Sequence, residues 1–224
     1  VSVSAEQRGR LYDEAFFADP YGFYARLRSS SPVTEVRPGT WLVTGYAETR
    51  EALAHPGLSK DTRRFFAGKD TGRNIAPALA ASLLATDPPD HARLRRLIGA
   101  AFTAARVERL RPRVEQLAAE LVGALPPGGV VDMVAELAVP LPVAVICELL
   151  GVPEPDRAQV RTWSSEVFAA GRPKVIDAAS HKLADYMTTL VADKRESPDD
   201  GLISALVAVR DADGGRLSEA ELVS

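Results

Sequence analysis

The chain has 224 residues, enough for one sizeable core or two small ones. Apolar residues make up 46% and charged residues 25%, as in an ordinary globular protein, and a net charge of -3 gives no electrostatic footing for binding nucleic acid. The single cysteine, Cys147, excludes an internal disulfide and any CxxC-type zinc or redox site.

In chain order, residues 1–14 lack the apolar run of a signal peptide. Asp19 as a cap and Pro20 at the first helical position predict a short helix over 20–28, with Phe23, Tyr24 and Leu27 at helical spacing. Segments 33–37 and 40–44, joined by Pro38-Gly39, predict a β-hairpin, and 46–54 returns to helix. Residues 56–86 mix Gly, Arg, Phe and short apolar runs and read as a long loop with one helical turn, a length that usually marks function or disorder. Beyond Thr86 the pattern is helical over 88–102, 107–125, 140–150, 156–169, 174–194 and 201–210. In the segment from Lys174, residues Ala179, Leu183, Tyr186, Met187, Leu190 and Val191 share one face. Gly151 followed by Pro153 ends one helix, and Gly128-Gly129 separates two others. The fold class expected is mainly α with a small β-sheet near the N-terminus. The most apolar stretch, 134–150, is broken by Pro140 and Pro142 and carries Glu136 and Glu148, short of the about 20 apolar residues that span a bilayer. A monomeric cytoplasmic protein without membrane attachment is expected.

The informative stretch runs Asp87-Pro-Pro-Asp-His-Ala-Arg-Leu-Arg-Arg-Leu-Ile-Gly-Ala-Ala-Phe102-Thr103. Asp87 is a good N-cap, Pro88 suits the first helical position, and Asp90 sits in the first turn, where the helix dipole favours an acid. At about 100° per residue, Leu94, Leu97, Ile98, Ala101 and Phe102 form an apolar stripe. His91 and Arg95 fall together at its edge, beside Ile98 and Phe102, while Arg93 and Arg96 point towards solvent. A cation against a buried face is costly unless an anion pairs with it. Two readings of the pair stand at this point. Asp87 bonds His91 and Arg95 reaches a carboxylate on another helix, or a ligand with carboxylates or phosphates supplies the anion.

Asp-Pro-Pro-Asp-His-x-x-x-Arg-Arg followed by Ala-Phe-Thr is similar to the helix of bacterial cytochromes P-450 that crosses one edge of the haem. Asp19-Pro-Tyr-Gly-Phe-Tyr-Ala-Arg-Leu-Arg28, Trp41-Leu-Val-Thr-Gly-Tyr46 and Val145-Ile-Cys-Glu-Leu-Leu-Gly-Val-Pro153 resemble further segments of that family in the same order. The stretch from Asp211 to Ser224 resembles the lead-in to its long central helix. The resemblance covers essentially the whole chain. It implies the amino-terminal portion of a single P-450 domain, with a small β/helix region at about 1–60, a long pocket loop at 61–86 and a helical region at 87–224.

The resemblance also implies a haem-dependent monooxygenase that oxidises a small organic substrate, with O2 and electrons from a ferredoxin or flavodoxin-type donor. It assigns His91 and Arg95 to the haem propionates and brings Leu83, Leu84, Ile98 and Phe102 near the cofactor. It places Ile75, Leu79, Phe168 and Ile176 in the substrate pocket, and it makes Arg93, Arg96, Arg109, Arg111 and Arg113 candidates for the redox-partner face, against their reading as a solvated face. The loop cations Arg63, Arg64, Lys69 and Arg73 are expected to be solvated, with a polar or acidic substrate as the other partner open to them. The family's axial cysteine and acid-alcohol pair lie beyond this segment, so no catalytic or metal-ligating residue is expected here. Cys147, within an apolar helical run, is expected to be a small buried hydrophobe. A truncated or haem-free P-450-like interaction protein is the alternative. Asp211-Ala-Asp-Gly-Gly fails as a calcium loop, with Arg216 where Gly and Leu222 where Glu are needed. His55 and His181 are expected at the surface.

Overall fold

The computed structural model describes residues 13–68, 72–80, 82–169, 172–210 and 214–224. Expectations about residues 1–12, Lys69 and Asp211, and about the side chain of Arg63, lie outside the described residues. The chain divides into two units, Val1–Ser59 and Lys60–Ser224.

In the first unit, local capping sets the helices. Helix α1 (Glu14–Ala18) is capped by Asp13, whose carboxylate accepts the Phe16 N–H at 2.7 Å. Helix α2 (Pro20–Ser30) is capped by Asp19, which accepts the Gly22 N–H at 2.8 Å, with Pro20 at the first position as its sequence requires. Strands β1 (Val33–Arg37) and β2 (Thr40–Val43) pair antiparallel, with Val33 opposite Val43 and Glu35 opposite Trp41. The turn between them needs a left-handed residue, and Gly39 supplies it at φ +73°. Phe16, Phe23, Leu27 and Val36 form the core of this unit, Tyr24 and Leu42 packing against them. Phe16 meets Phe23 edge to face at 5.2 Å, a geometry that contributes about 1 kcal/mol beyond area burial. Helix α3 (Tyr46–Ala54) has the expected bounds.

The second unit opens with the expected long loop, but its single helical turn is replaced by three short pieces: α4 (Thr62–Phe66), α5 (Pro77–Ala80) and a 3-10 turn (Leu83–Ala85). Helix α6 (Asp90–Ala101) begins later than its sequence suggests. The Pro88–Pro89 peptide bond is cis and Pro89 occupies the cap position. Asp87 is drawn away from capping because its carboxylate accepts the Lys60 N–H at 3.2 Å. Helix α7 (Ala104–Gly123) starts earlier than expected, since Thr103 accepts the Arg106 N–H at 3.3 Å and makes a cap of its own. A π-helical turn (Val134–Ala138) leads into α8 (Pro140–Leu150), which ends at Gly151 with φ +73°. Helices α9 (Arg157–Val167), α10 (Pro173–Glu196), α11 (Leu202–Ala208) and α12 (Glu219–Val223) complete the unit.

Helix α10 carries the core. Its stripe presents Leu190 and Val191, fully buried, to Cys147 of α8, Val160 of α9, Ile203 of α11 and Val223 of α12. Cys147 is 1% exposed and takes the hydrophobic role expected of it; burial pushes its thiol pKa up. A second cluster joins Leu94 and Leu97 of α6 to Leu217, with Leu83, Leu206, Val209 and Leu222 around it. Glu148 of α8 ties three helices together, meeting Arg157 of α9 at 2.9 Å and Arg113 of α7 at 3.6 Å. Among the described residues no helix is long and apolar enough to cross a membrane.

Candidate functional site

Helix α6 is held by its apolar stripe. Leu94 is 5%, Leu97 1% and Ala101 6% exposed, and the two leucines lock the helix onto Leu217. At about 100° per residue the stripe has two edges. On one lies Arg93, whose guanidinium pairs with the Glu221 carboxylate of α12. Arg93 was expected to face solvent; it is partly buried instead, because its position beside Leu97 turns it towards the carboxylate that α12 presents.

His91, half-buried, and Arg95, exposed, occupy the other edge with Ile98 and Phe102. The expectation of a protein carboxylate for the pair is not met. His91 reaches Asp87 through the backbone alone, its N–H donating to the Asp87 carbonyl at 3.0 Å. Among the described residues no side-chain hydrogen bond or ion pair engages His91 or Arg95. The edge therefore offers an imidazole and a guanidinium, both able to donate to an anion, beside the apolar surfaces of Ile98 and Phe102. That donor set fits a ligand with an apolar body and a carboxylate margin. Leu83 packs into the Leu94–Leu97 cluster, whereas Leu84 is 83% exposed.

The long loop is fastened to α10. Asp177 accepts Arg73 Nε at 2.9 Å and the Asn74 N–H at 2.9 Å. The buried Ser180 hydroxyl accepts the Ala76 N–H at 2.9 Å, and His181 Nε2 meets the Asn74 carbonyl at 2.9 Å. The Arg73 guanidinium, followed by the Asn74 amide, holds the Asp177 carboxyl below the usual carboxylate range. Two expectations are corrected here. Arg73 is an architectural cation, since Asp177 stands opposite it, and His181 is half-buried and bonded because α10 presents it to the loop backbone. The same contacts set Ile75 beside the first turns of α10, where Ile176 lies half-buried. Leu79 is half-buried on α5, and Phe168, at the end of α9, is 86% exposed.

The expected outward basic set divides. Arg96 and Arg109 are exposed. Arg111 is bound to Glu108 at 2.5 Å along its own helix, and Arg113 is partly buried against Glu148 because α8 packs on that face of α7. A cleft of about 480 Å³ lined by Arg106, Arg109, Glu148, Arg157 and Asp199 is a different place from the α6 edge. Two of its arginines already have oxygen partners, Arg106 at the Gly201 carbonyl (3.5 Å) and Arg157 at Glu148. Among the described residues no cluster of His, Cys, Asp and Glu could hold a metal ion.

No family model matches the chain. Curated relatives do. Vitamin D(3) 25-hydroxylase of Pseudonocardia autotrophica is 40% identical over 227 residues, which span 100% of this chain and 56% of that protein. The 6-deoxyerythronolide B hydroxylase of Saccharopolyspora erythraea is 41% identical over 227 residues, spanning 96% of this chain and 56% of that one. Among solved structures, the bacillaene polyketide synthase cytochrome P-450 PksS of Bacillus subtilis superposes with a TM-score of 0.82 at 31% identity, over 95% of this chain and 54% of that one. The chain thus spans about half the length of the curated relatives it matches.

Proposed function

The chain corresponds in sequence and fold to the amino-terminal half of the bacterial cytochromes P-450, and from that premise we propose that it is the haem-embracing part of a cytoplasmic monooxygenase acting on a small organic secondary metabolite. Haem is the family's cofactor, and when bound it supplies the oxygen chemistry. The protein's share, in this half, is to hold and orient it. His91 and Arg95 bind the propionates by charge-assisted hydrogen bonds. Ile98, Phe102 and Leu84 supply apolar surface near the cofactor, with Leu83 supporting them from within the core. The observation that carries this reading is the α6 edge itself, two cation-capable side chains beside a buried stripe with no carboxylate of the described residues on either.

Ile75, Leu79, Phe168 and Ile176 belong to the substrate pocket in this reading. The fastening of Asn74 to Asp177 and of Ala76 to Ser180 supports it, since these pairs flank Ile75 and adjoin Ile176 in the chain. The relatives named above are hydroxylases of vitamin D(3) and of 6-deoxyerythronolide B, and a hydrophobic secondary metabolite suits the apolar side chains of Ile75, Leu79, Phe168 and Ile176. Electrons come from an acidic ferredoxin or flavodoxin. Arg96 and Arg109 are the cations of the basic set left exposed to meet it; Arg93, Arg111 and Arg113 are engaged with carboxylates. The iron ligand is placed outside this segment, because Cys147 is sealed in the core.

Haem content of the purified polypeptide that contains this chain tests the reading. Stoichiometric haem in the wild type and strongly reduced retention in Arg95→Ala are expected. Equal retention in the two proteins would overturn the assignment.

A further inference from the structure

Helix α6 has a clamped edge and an open one. Along the buried arc of the helix, Arg93 lies about 160° from His91 and about 200° from Arg95, with Leu97, Ala101 and Leu94 between. Arg93 is joined to Glu221, and the hold on Glu221 is itself built. Its carboxylate also accepts the Ser218 N–H at 2.8 Å, and the Glu221 N–H donates to the Ser218 hydroxyl at 3.3 Å, a capping box that fixes the start of α12. Burial works to raise the Glu221 carboxyl pKa, but the Ser218 amide and the Arg93 guanidinium outweigh it and keep the group ionised. Leu217 and Leu222 on either side of Ser218 and Glu221 pack with the Leu94–Leu97 cluster.

A helix seated only by an apolar stripe is free to roll by some degrees, since burial is non-directional. An ion pair at one edge is directional and removes that freedom. We infer that Arg93 and Glu221 are positioning residues: their pair fixes the roll of α6 and thereby aims His91 and Arg95 at the carboxylates of the ligand. Neither touches that ligand. This rests on the haem reading above, with the propionates as the carboxylates concerned.

The test compares release of haem with release of its dimethyl ester, which lacks both propionate charges, from the polypeptide that contains this chain. Apomyoglobin serves as the acceptor, and thermal unfolding is followed in parallel. Wild type is expected to hold haem more tightly than the ester. Arg93→Ala and Glu221→Gln are each expected to speed haem release roughly fivefold, with no further loss when combined. They leave ester release unchanged, and Arg93→Lys restores much of the wild-type rate. Faster release of haem and ester by the same factor would overturn the positioning role and reduce the pair to a structural tie, with the propionate reading intact. Equal release of haem and ester by the wild type would instead overturn the propionate reading, and the inference with it. Glu221→Gln keeps the shape of the side chain and remains readable if Arg93→Ala fails to fold.

Discussion

Two arginine-bearing regions of the same unit show opposite bonding. In the 72–76 segment, Arg73, the Asn74 and Ala76 amides and the Asn74 carbonyl find partners on α10 within 3 Å. On the outer edge of α6, His91 and Arg95 find none among the described residues. Arg95 is exposed, so water can satisfy it, but the half-buried His91 ring beside an apolar stripe is a polar group of the kind that normally finds a partner. The first region is architecture that the protein completes by itself. The second, in the function proposed, is half of an interaction that an anion with an apolar body completes.

The largest effect belongs to the stripe on which the open edge depends. Leu97→Ala, at a side chain 1% exposed, is expected to cost about 2–5 kcal/mol in denaturant unfolding of the haem-free protein. Next comes the open edge. Arg95→Ala should weaken haem affinity by about 1.5–3 kcal/mol, measured by Soret titration, with stability of the haem-free protein changed by less than about 0.5 kcal/mol. An equal loss of haem-free stability would show that Arg95 has a protein partner after all, and the contrast would collapse.

Disrupting the closed region should do the reverse. Arg73→Ala or Asp177→Asn is expected to raise hydrogen exchange at the Asn74 and Ala76 amides about tenfold, with haem affinity little changed. The same amides carry a pH signature. The Asp177 carboxyl pKa is depressed in the folded state by Arg73, so its contribution is complete above the ordinary carboxylate pKa of about 4 and is lost as pH falls through the lower folded value. Exchange protection that persists in acid below that range would contradict the role given to Asp177. The smallest effect is at the exposed cations. Arg96→Ala should leave stability within about 0.5 kcal/mol and only slow association with an acidic redox protein at low salt.

What was legible in the sequence follows the range of each interaction. Asp19 and Pro20 mark α2, Pro38-Gly39 marks the hairpin and the α10 stripe marks its core face, because caps, turns and helical periodicity are set by neighbours in the chain. The outer edge of α6 was legible for the same reason, since His91 and Arg95 are one turn apart. The partner of Arg93 is 128 positions away and that of Arg73 is 104 away. No local spacing carries such pairs, so both arginines read as solvated. Helix starts moved where another hydrogen-bond partner intervened. Asp87 is engaged by Lys60, and Thr103 makes a cap ahead of α7 that the apolar pattern alone does not show. The outward basic set failed in part because which side of α7 is covered depends on α8, which brings Glu148 to Arg113.

The most direct measurement is the carbon monoxide difference spectrum of the reduced protein made from the complete gene. A thiolate-type Soret band that survives Cys147→Ser is expected, because Cys147 is sealed among Val152, Val160 and Leu190. The amplitude of the band is expected to fall with haem loss in Arg95→Ala. Absence of any haem-derived band, or a band that vanishes with Cys147→Ser, would contradict the proposed function.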